Sequence, residues 1–318
     1  MIVKTAECVT PKHPDKICDR ISDAILDACL EQDPNSRVAI ETMGGHGKIY
    51  VIGELTTNAD IGPIKYITER VCGEPIDTTT NIVQQSNFIA QGVDAGGAGD
   101  QGIMVGYACN ENTAMIPQEL YLSRKLAKEI YEFFPCDGKT QVTLNDNKIE
   151  SVVASFQKTP AEALEQMIVE FLDYDVDNVN IFTNPAGDWS VGGFDADAGV
   201  TGRKLIVDNY GPRVPIGGGA FSGKDATKVD RSAAYMARKI AVDYLKKYQA
   251  KEVYVYLAYA IGYDKPIQAA AIVDNVEMNV TEYDLTPSGI ISLLDLRKPI
   301  FEQTAEWGAF GNNFRWDK

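Results

Sequence analysis

Apolar residues recur at helical spacing in Lys16–Glu31, where Ile17, Ile21, Ala24, Ile25 and Ala28 share one side of a 3.6-residue period. Two strand-like runs follow, Arg37–Thr42 and Lys48–Leu55, around Gly44-Gly45-His46-Gly47. A helix is then expected from Pro63 to about Gly73, because proline suits a first helical turn whose N–H has no partner. The same order returns further on. Glu119–Phe134 patterns as a helix, and Gln141–Leu144 and Lys148–Phe156 pattern as strands around Asn145-Asp146-Asn147. Thr159-Pro160-Ala161-Glu162 has the form of a capping box with proline at the first helical position. It returns again with Arg231–Tyr248 helical, Glu252–Ala260 and Ile267–Val273 extended, and Thr286-Pro287 opening another helix.

Three α-β-β-α units imply an α+β protein of three similar domains, each a sheet covered by helices on one face. The spans expected are 1–98, 99–190 and 191–318. A sheet covered on one face needs something for the other. That points to three domains meeting about a shared centre, or to two chains packed face to face.

Composition narrows the class. Lys and Arg number 30 against 45 Asp and Glu, for a net charge of −15. A general nucleic-acid binder needs a cationic surface to displace counterions, so no nucleic-acid partner is expected. No apolar run approaches the roughly 20 residues that span a bilayer, so no membrane partner is expected. Met1–Glu7 lacks the apolar core of a signal peptide, which points to a cytoplasmic protein. The six cysteines form no CxxC pair and there are two histidines, which argues against a Cys/His zinc site and for reduced, packed thiols.

Glycine and charge concentrate in four segments. His13-Pro14-Asp15-Lys16 precedes the first helix, whose N-terminus attracts anions. His13 and Lys16 would add cationic donors there and Asp15 could hold a hard cation; alternatively Asp15 simply caps the helix. Gly96-Gly97-Ala98-Gly99-Asp100-Gln101-Gly102 allows close backbone approach to a ligand and runs straight into the apolar Ile103-Met104-Val105. Asp197–Lys204 and Gly217–Asp230 gather Arg203, Lys204, Lys224 and Lys228 around glycine-rich loops. Such cations in an acidic chain suggest a polyphosphate site. Neither loop is a Walker A motif, and no GxGxxG follows a strand. Glu41 and Glu54 lie on otherwise apolar strands; they either face solvent or capture a cation or amino group.

Taken together, His13-Pro14-Asp15-Lys16-Ile17-Cys18-Asp19 with Ile21–Ala24, Gly97–Gly102, Asp197 with Thr201–Lys204, Gly217–Tyr235 and Gly308-Ala309-Phe310-Gly311 resemble the methionine adenosyltransferase, or S-adenosylmethionine synthetase, family. The matches run in the family's order and span the chain. The resemblance implies three similar domains about a pseudo-threefold axis and a homodimer packed sheet to sheet, with active sites at the interface; a tetramer stays open. It implies a reaction of ATP with L-methionine, in which sulfur attacks the ribose C5′, expels triphosphate, and the triphosphate is hydrolysed to pyrophosphate and phosphate. Mg²⁺ is implied, with K⁺ as activator.

The resemblance also implies residue roles. His13, Lys139, Arg203 and Lys224 would be catalytic on the triphosphate, and Lys204 would hold phosphate. Asp137, Trp189, Asp197 and Ala220 would line the nucleotide. Glu54, Gln91, Asp100, Asp197 and Lys228 would form the methionine pocket. Asp15 and Asp230 would hold Mg²⁺, and Glu41 K⁺. A catalytically weak paralogue acting as a regulatory subunit is the alternative, disfavoured because the charged residues are retained. The departures from the family are Pro11-Lys12 before His13, Asn87 and Phe88 before Gln91, a shorter stretch from Asp94 to Gly97, and Phe194-Asp195-Ala196. The shortened stretch lies in the family's gate, so a looser adenine pocket is expected, with Phe88 and Trp189 supplying some apolar closure.

Overall fold

The computed structural model describes residues 3–85 and 97–318. It contains three four-stranded sheets. The first holds β1 (Val3–Val9), β6 (Gly138–Asn145), β7 (Lys148–Phe156) and β8 (Asn180–Thr183) in that order. The second runs β9 (Gly199–Val200), β2 (Arg37–Gly45), β3 (Lys48–Thr56) and β4 (Asp77–Val83). The third runs β5 (Gly102–Cys109), β10 (Glu252–Tyr259), β11 (Gln268–Val273) and β12 (Val276–Asn279). In the first two, the pairings along the sheet are antiparallel, antiparallel, parallel. The third ends antiparallel instead, because β12 follows β11 directly.

Each sheet takes its outer strand from another part of the chain. β1 pairs with β6, β9 with β2, and β5 with β10. The sheets therefore exchange strands cyclically across the spans 1–98, 99–190 and 191–318. Two-residue turns close three hairpins, at His46-Gly47, Asp146-Asn147 and Asp274-Asn275, and all six residues have positive φ. That geometry matches the right-handed twist of the strands it joins.

One long helix lies on each sheet: α1 (Pro14–Leu30) on β2, α3 (Gln118–Phe133) on β1 and β6, and α6 (Val229–Tyr248) on β5 and β10. Alternation along β10 buries Val253, Val255, Leu257 and Tyr259 under α6. Gly106 of β5 lets α6 approach, since a Cβ there would sit 2.1 Å from the Ala237 carbonyl oxygen. One apolar core joins α1, α6 and the second and third sheets, while Leu126, Val152, Phe156 and Ile168 form a smaller core on the first.

The shorter helices correct two expectations. α2 (Ile64–Cys72) begins after Pro63, which is its N-cap, and ends at left-handed Gly73. α4 (Ala161–Phe171) has Pro160 as N-cap and no capping box. The Thr159 hydroxyl donates instead to the Gln157 carbonyl, and Asp188 accepts from the Ala161 N–H at 3.1 Å. α7 (Pro287–Leu294) does start as expected, with Thr286 accepting from the Gly289 N–H. Short helices α5 (Leu205–Asp208) and α8 (Phe301–Glu306) complete the set used below. Among the described residues, no helix is long and apolar enough to cross a membrane.

Candidate active site

The N-terminus of α1 is the floor of the site. His13, rather than Asp15, is the N-cap, and its Nδ1 accepts from the Asp15 N–H at 3.2 Å. An imidazole that accepts at Nδ1 and is neutral carries its proton on Nε2. Burial pushes the His13 pKa down to about 3, and the Lys204 and Lys139 charges push the same way, against Asp15 and Asp197. The expectation of a cationic His13 is thereby corrected: it presents a neutral N–H. Lys16 is not a ligand donor either. Its ammonium is fully buried between Asp19 (3.0 Å) and Asp208 (2.5 Å).

The Asp197–Lys204 loop lies across this helix end. Gly199 permits it, because a Cβ there would fall 2.1 Å from the Pro14 carbonyl oxygen. Asp15 accepts from the Val200 N–H (3.0 Å) and Lys204 Nζ (2.9 Å), and it forms an ion pair with Arg203 Nε (2.8 Å). Burial alone would raise the Asp15 pKa, but the Lys204 and Val200 hydrogen bonds and the Lys204 and His13 charges hold its carboxyl below the usual range. Arg203 also donates to the Ala198 carbonyl. Asp197 is exposed and accepts from the Ala198 N–H. Across the loop, Asp137 accepts from the Gly193 N–H at 2.9 Å, and burial raises its pKa against that bond and the Lys139 charge. Lys139 is exposed on β6. Trp189 packs beside Gly192, with its indole Nε1 buried and, among the described residues, without a hydrogen-bond partner. The unusual Phe194 is buried against Gly44 of β2.

A second group of residues adjoins the first. Gly223, with φ +81, lies so close to β2 that a Cβ would meet the Ile40 carbonyl oxygen, and Lys224 bridges to Ala39. This brings Lys224 near Glu41, whose pKa burial raises, with Lys224 opposing and Glu54 reinforcing the shift. Lys224 Nζ pairs with Asp230 at 2.6 Å. Asp230 lies over Gly219 and beside Gly102, so the Gly217–Gly219 run and the start of β5 enclose it. Lys228 is paired with Asp225, which also accepts from the Val38 and Thr227 N–H groups. Asp100 is exposed and accepts from the Gln101 N–H. Ala220 abuts Gly202, which joins the two loops. Gln91, Phe88, and the stretch from Asp94 to Gly96 lie outside the described residues.

His13, Asp15, Lys139, Asp197, Arg203 and Lys204 thus form one neighbourhood, and Glu41, Glu54, Lys224 and Asp230 its neighbour. Among the described residues, Arg203, Lys204, Lys224 and Lys228 are each paired with a carboxylate, and Lys139 is not. Such a site can accept a polyanion together with a hard cation, with the anion taking over the lysines and arginine and the cation the carboxylates. No three His, Cys, Asp or Glu side chains converge among the described residues. Asp15 and Asp230 each offer a hard carboxylate oxygen, the donor type that Mg²⁺ takes in ones or twos beside phosphates and water. The supporting residues Asp208 and Asp225 were not singled out by the sequence; their partners Lys16 and Lys228 are far away or masked by the loop's other charges.

The chain matches the S-adenosylmethionine synthetase N-terminal domain over residues 1–87, the central domain over 95–189 and the C-terminal domain over 191–318. It is 41% identical to the S-adenosylmethionine synthase of Brachyspira hyodysenteriae, covering 99% of this chain and 95% of that protein. It is 43% identical to the S-adenosylmethionine synthase of Clostridium tetani, covering 96% of this chain and 93% of that protein.

Proposed function

This chain belongs to the S-adenosylmethionine synthetase family and is a methionine adenosyltransferase, and from that premise we propose how its residues divide the work. The substrates are ATP and L-methionine. The methionine sulfur attacks C5′ of the ribose, the C5′–O bond breaks, and the electron pair leaves with triphosphate. Water then splits triphosphate into pyrophosphate and phosphate. The thioether is already a nucleophile, so no base has to remove a proton from it. The barrier lies in alignment and in the charge gathering on the leaving group.

The observation that supports this reading is the convergence of Arg203 and Lys204 on Asp15, beside His13 and the exposed Lys139. Arg203, Lys204 and Lys224 hold the phosphates. Neutral His13 donates through Nε2 to the bridging end of the triphosphate, and Lys139 meets the charge that appears there. Asp137, Trp189, Asp197 and Ala220 line the nucleotide. Glu54, Gln91, Asp100, Asp197 and Lys228 receive methionine. Asp15 and Asp230 fit Mg²⁺ as single hard donors beside a phosphate site, and Glu41 fits K⁺. The chemistry these ions supply is neutralisation of the triphosphate's charge.

The second sheet exposes Met43 (50%), Tyr50 (44%) and Ile52 (53%) beside Glu41. This apolar face supports a homodimer packed through that sheet, with the site at its edge; a tetramer remains open. The protein acts in the cytoplasm. No observation favours a regulatory subunit. The test of the residue roles is steady-state kinetics of Lys139→Ala and Arg203→Ala with S-adenosylmethionine and phosphate followed separately. Parent rates in both variants would remove the assignments.

A further inference from the structure

Aspartates occupy every fourth position of α1: Asp15, Asp19, Asp23 and Asp27. The helical period stacks them in one stripe, with successive members about 6 Å apart along the axis. Buried carboxylates are rare unless paired, yet Asp15, Asp19 and Asp23 are fully buried. Each accepts a backbone N–H from a distant segment. Asp15 takes Val200 (3.0 Å), Asp19 takes Gly202 (2.8 Å), Asp23 takes Gly223 (2.8 Å), and Asp27 takes Phe301 and Glu302 (3.0 and 2.9 Å).

Two buried cations tie the stripe to the same segments. Lys16 links Asp19 to Asp208 at the end of α5. Arg231 grips both oxygens of Asp23 (2.6 and 2.8 Å) and donates to the Lys224 carbonyl at 3.1 Å. The loop carrying Arg203 and Lys204 is thus held before it, at Val200 and Gly202, and after it, at Asp208. The loop carrying Lys224 is held at the Gly223 N–H and the Lys224 carbonyl. Both loops are referenced to one stiff helix.

We propose that Asp19 and Asp23, with Lys16 and Arg231, are positioning residues that set the separation of the two cationic loops for the triphosphate. This rests on the reading of Arg203, Lys204 and Lys224 as phosphate ligands. Donors that stabilise a developing charge act best when they need no rearrangement, and short charge-assisted bonds to a rigid helix supply that constraint. Asp27 provides an internal comparison: it too accepts backbone N–H groups on the same helix, but it holds the start of α8, not a cationic loop.

The experiment compares Asp19→Asn, Asp23→Asn and Asp27→Asn in the full chain, with thermal unfolding recorded for each. Hydrolysis of added tripolyphosphate and S-adenosylmethionine formation are both measured. Asp19→Asn and Asp23→Asn are expected to raise the tripolyphosphate KM by about tenfold or more and to leave the methionine KM within about twofold, the signature of misplaced phosphate donors. Asp27→Asn is expected to lower the unfolding temperature with both KM values near the parent's. Unchanged tripolyphosphate KM in Asp19→Asn and Asp23→Asn overturns the proposal, as does the same kinetic defect in Asp27→Asn. Should the first two variants not fold, Ser22→Ala decides. Ser22 bonds the Thr201 and Thr42 hydroxyls at 2.8 Å each and carries no charge. It is expected to raise the tripolyphosphate KM about threefold at parent stability, and no rise overturns the proposal. Arg203→Ala is measured alongside. A parent-like tripolyphosphate KM there defeats the phosphate reading itself, whereas a raised value beside normal Asp19→Asn and Asp23→Asn defeats only the positioning role.

Discussion

Replacing Asp15 by asparagine should strengthen metal-free triphosphate binding, the opposite of what removing a site residue usually does. In the structure Asp15 engages both cations proposed to hold phosphate, Lys204 at 2.9 Å and Arg203 at 2.8 Å. Its side chain is 1% exposed, and those of Lys204 and Arg203 are 17% and 49% exposed. The carboxyl is held below its ordinary pKa range, so it is ionised at neutral pH and the substitution removes a full negative charge. The Arg203 contact is half in solvent and contributes little. The buried Lys204 contact is a charge-assisted bond of about 1.5–3 kcal/mol. Releasing it to an incoming phosphate corresponds to roughly a tenfold to hundredfold gain in affinity, at 1.4 kcal/mol per decade. With Mg²⁺ present the gain should disappear, because on the proposed roles Asp15 would turn to the metal and leave Lys204 for phosphate. Calorimetric titration of tripolyphosphate into parent and Asp15→Asn, in chelator and in Mg²⁺, measures both. Weaker metal-free binding by Asp15→Asn, or an unchanged response to Mg²⁺, would rule out Asp15 as the group that competes with phosphate for Lys204.

Lys139→Ala should lower S-adenosylmethionine formation more than tenfold, about 1.4 kcal/mol or more of transition-state stabilisation, while the methionine KM changes little; steady-state kinetics check it. Glu41→Gln should abolish any stimulation by K⁺, read as the ratio of rates with and without the ion. Glu111 offers a pH test remote from the site. Burial pushes its pKa up, but Arg213 at 2.6 Å, the Gln118 N–H and Lys4 outweigh this and pull it down to about 2. A depressed carboxyl contributes stability above its ordinary 4.5 and loses it as pH falls toward 2. In denaturant unfolding, the stability difference between parent and Glu111→Gln should therefore shrink across that window; a constant difference would dismiss the pair.

The repeat was legible because the three long helices carry strong apolar periodicity and the tight turns carry Gly, Asn and Asp. The strand exchange between units was not. β1, β9 and β5 pair with strands far along the chain, and an edge strand's own pattern bears no mark of its partner. β4 was missed for a related reason: Asp77-Thr78-Thr79-Thr80-Asn81 is polar and largely exposed, so it lacks the alternation of a half-buried strand. Near the candidate site, glycine density marked loops that pack closely on α1 and β2, since close approach at Gly199 and Gly223 admits no side chain. The roles of charged residues were less visible. Both His13 and Asp15 suit a helix start, and only the fold shows that His13 caps and stays neutral under burial and two neighbouring lysines. Lys16 read as a phosphate donor because Asp208, which consumes its charge, lies 192 residues away.

This chain should couple ATP to methionine and expel an intact triphosphate before hydrolysing it. The measurement that tests it most directly incubates the full chain with ATP, L-methionine, Mg²⁺ and K⁺, and follows S-adenosylmethionine, pyrophosphate and phosphate separately. The three products should appear in equal amounts, all dependent on methionine and Mg²⁺. Phosphate released without S-adenosylmethionine, or ATP left intact in the presence of methionine and both ions, would contradict it.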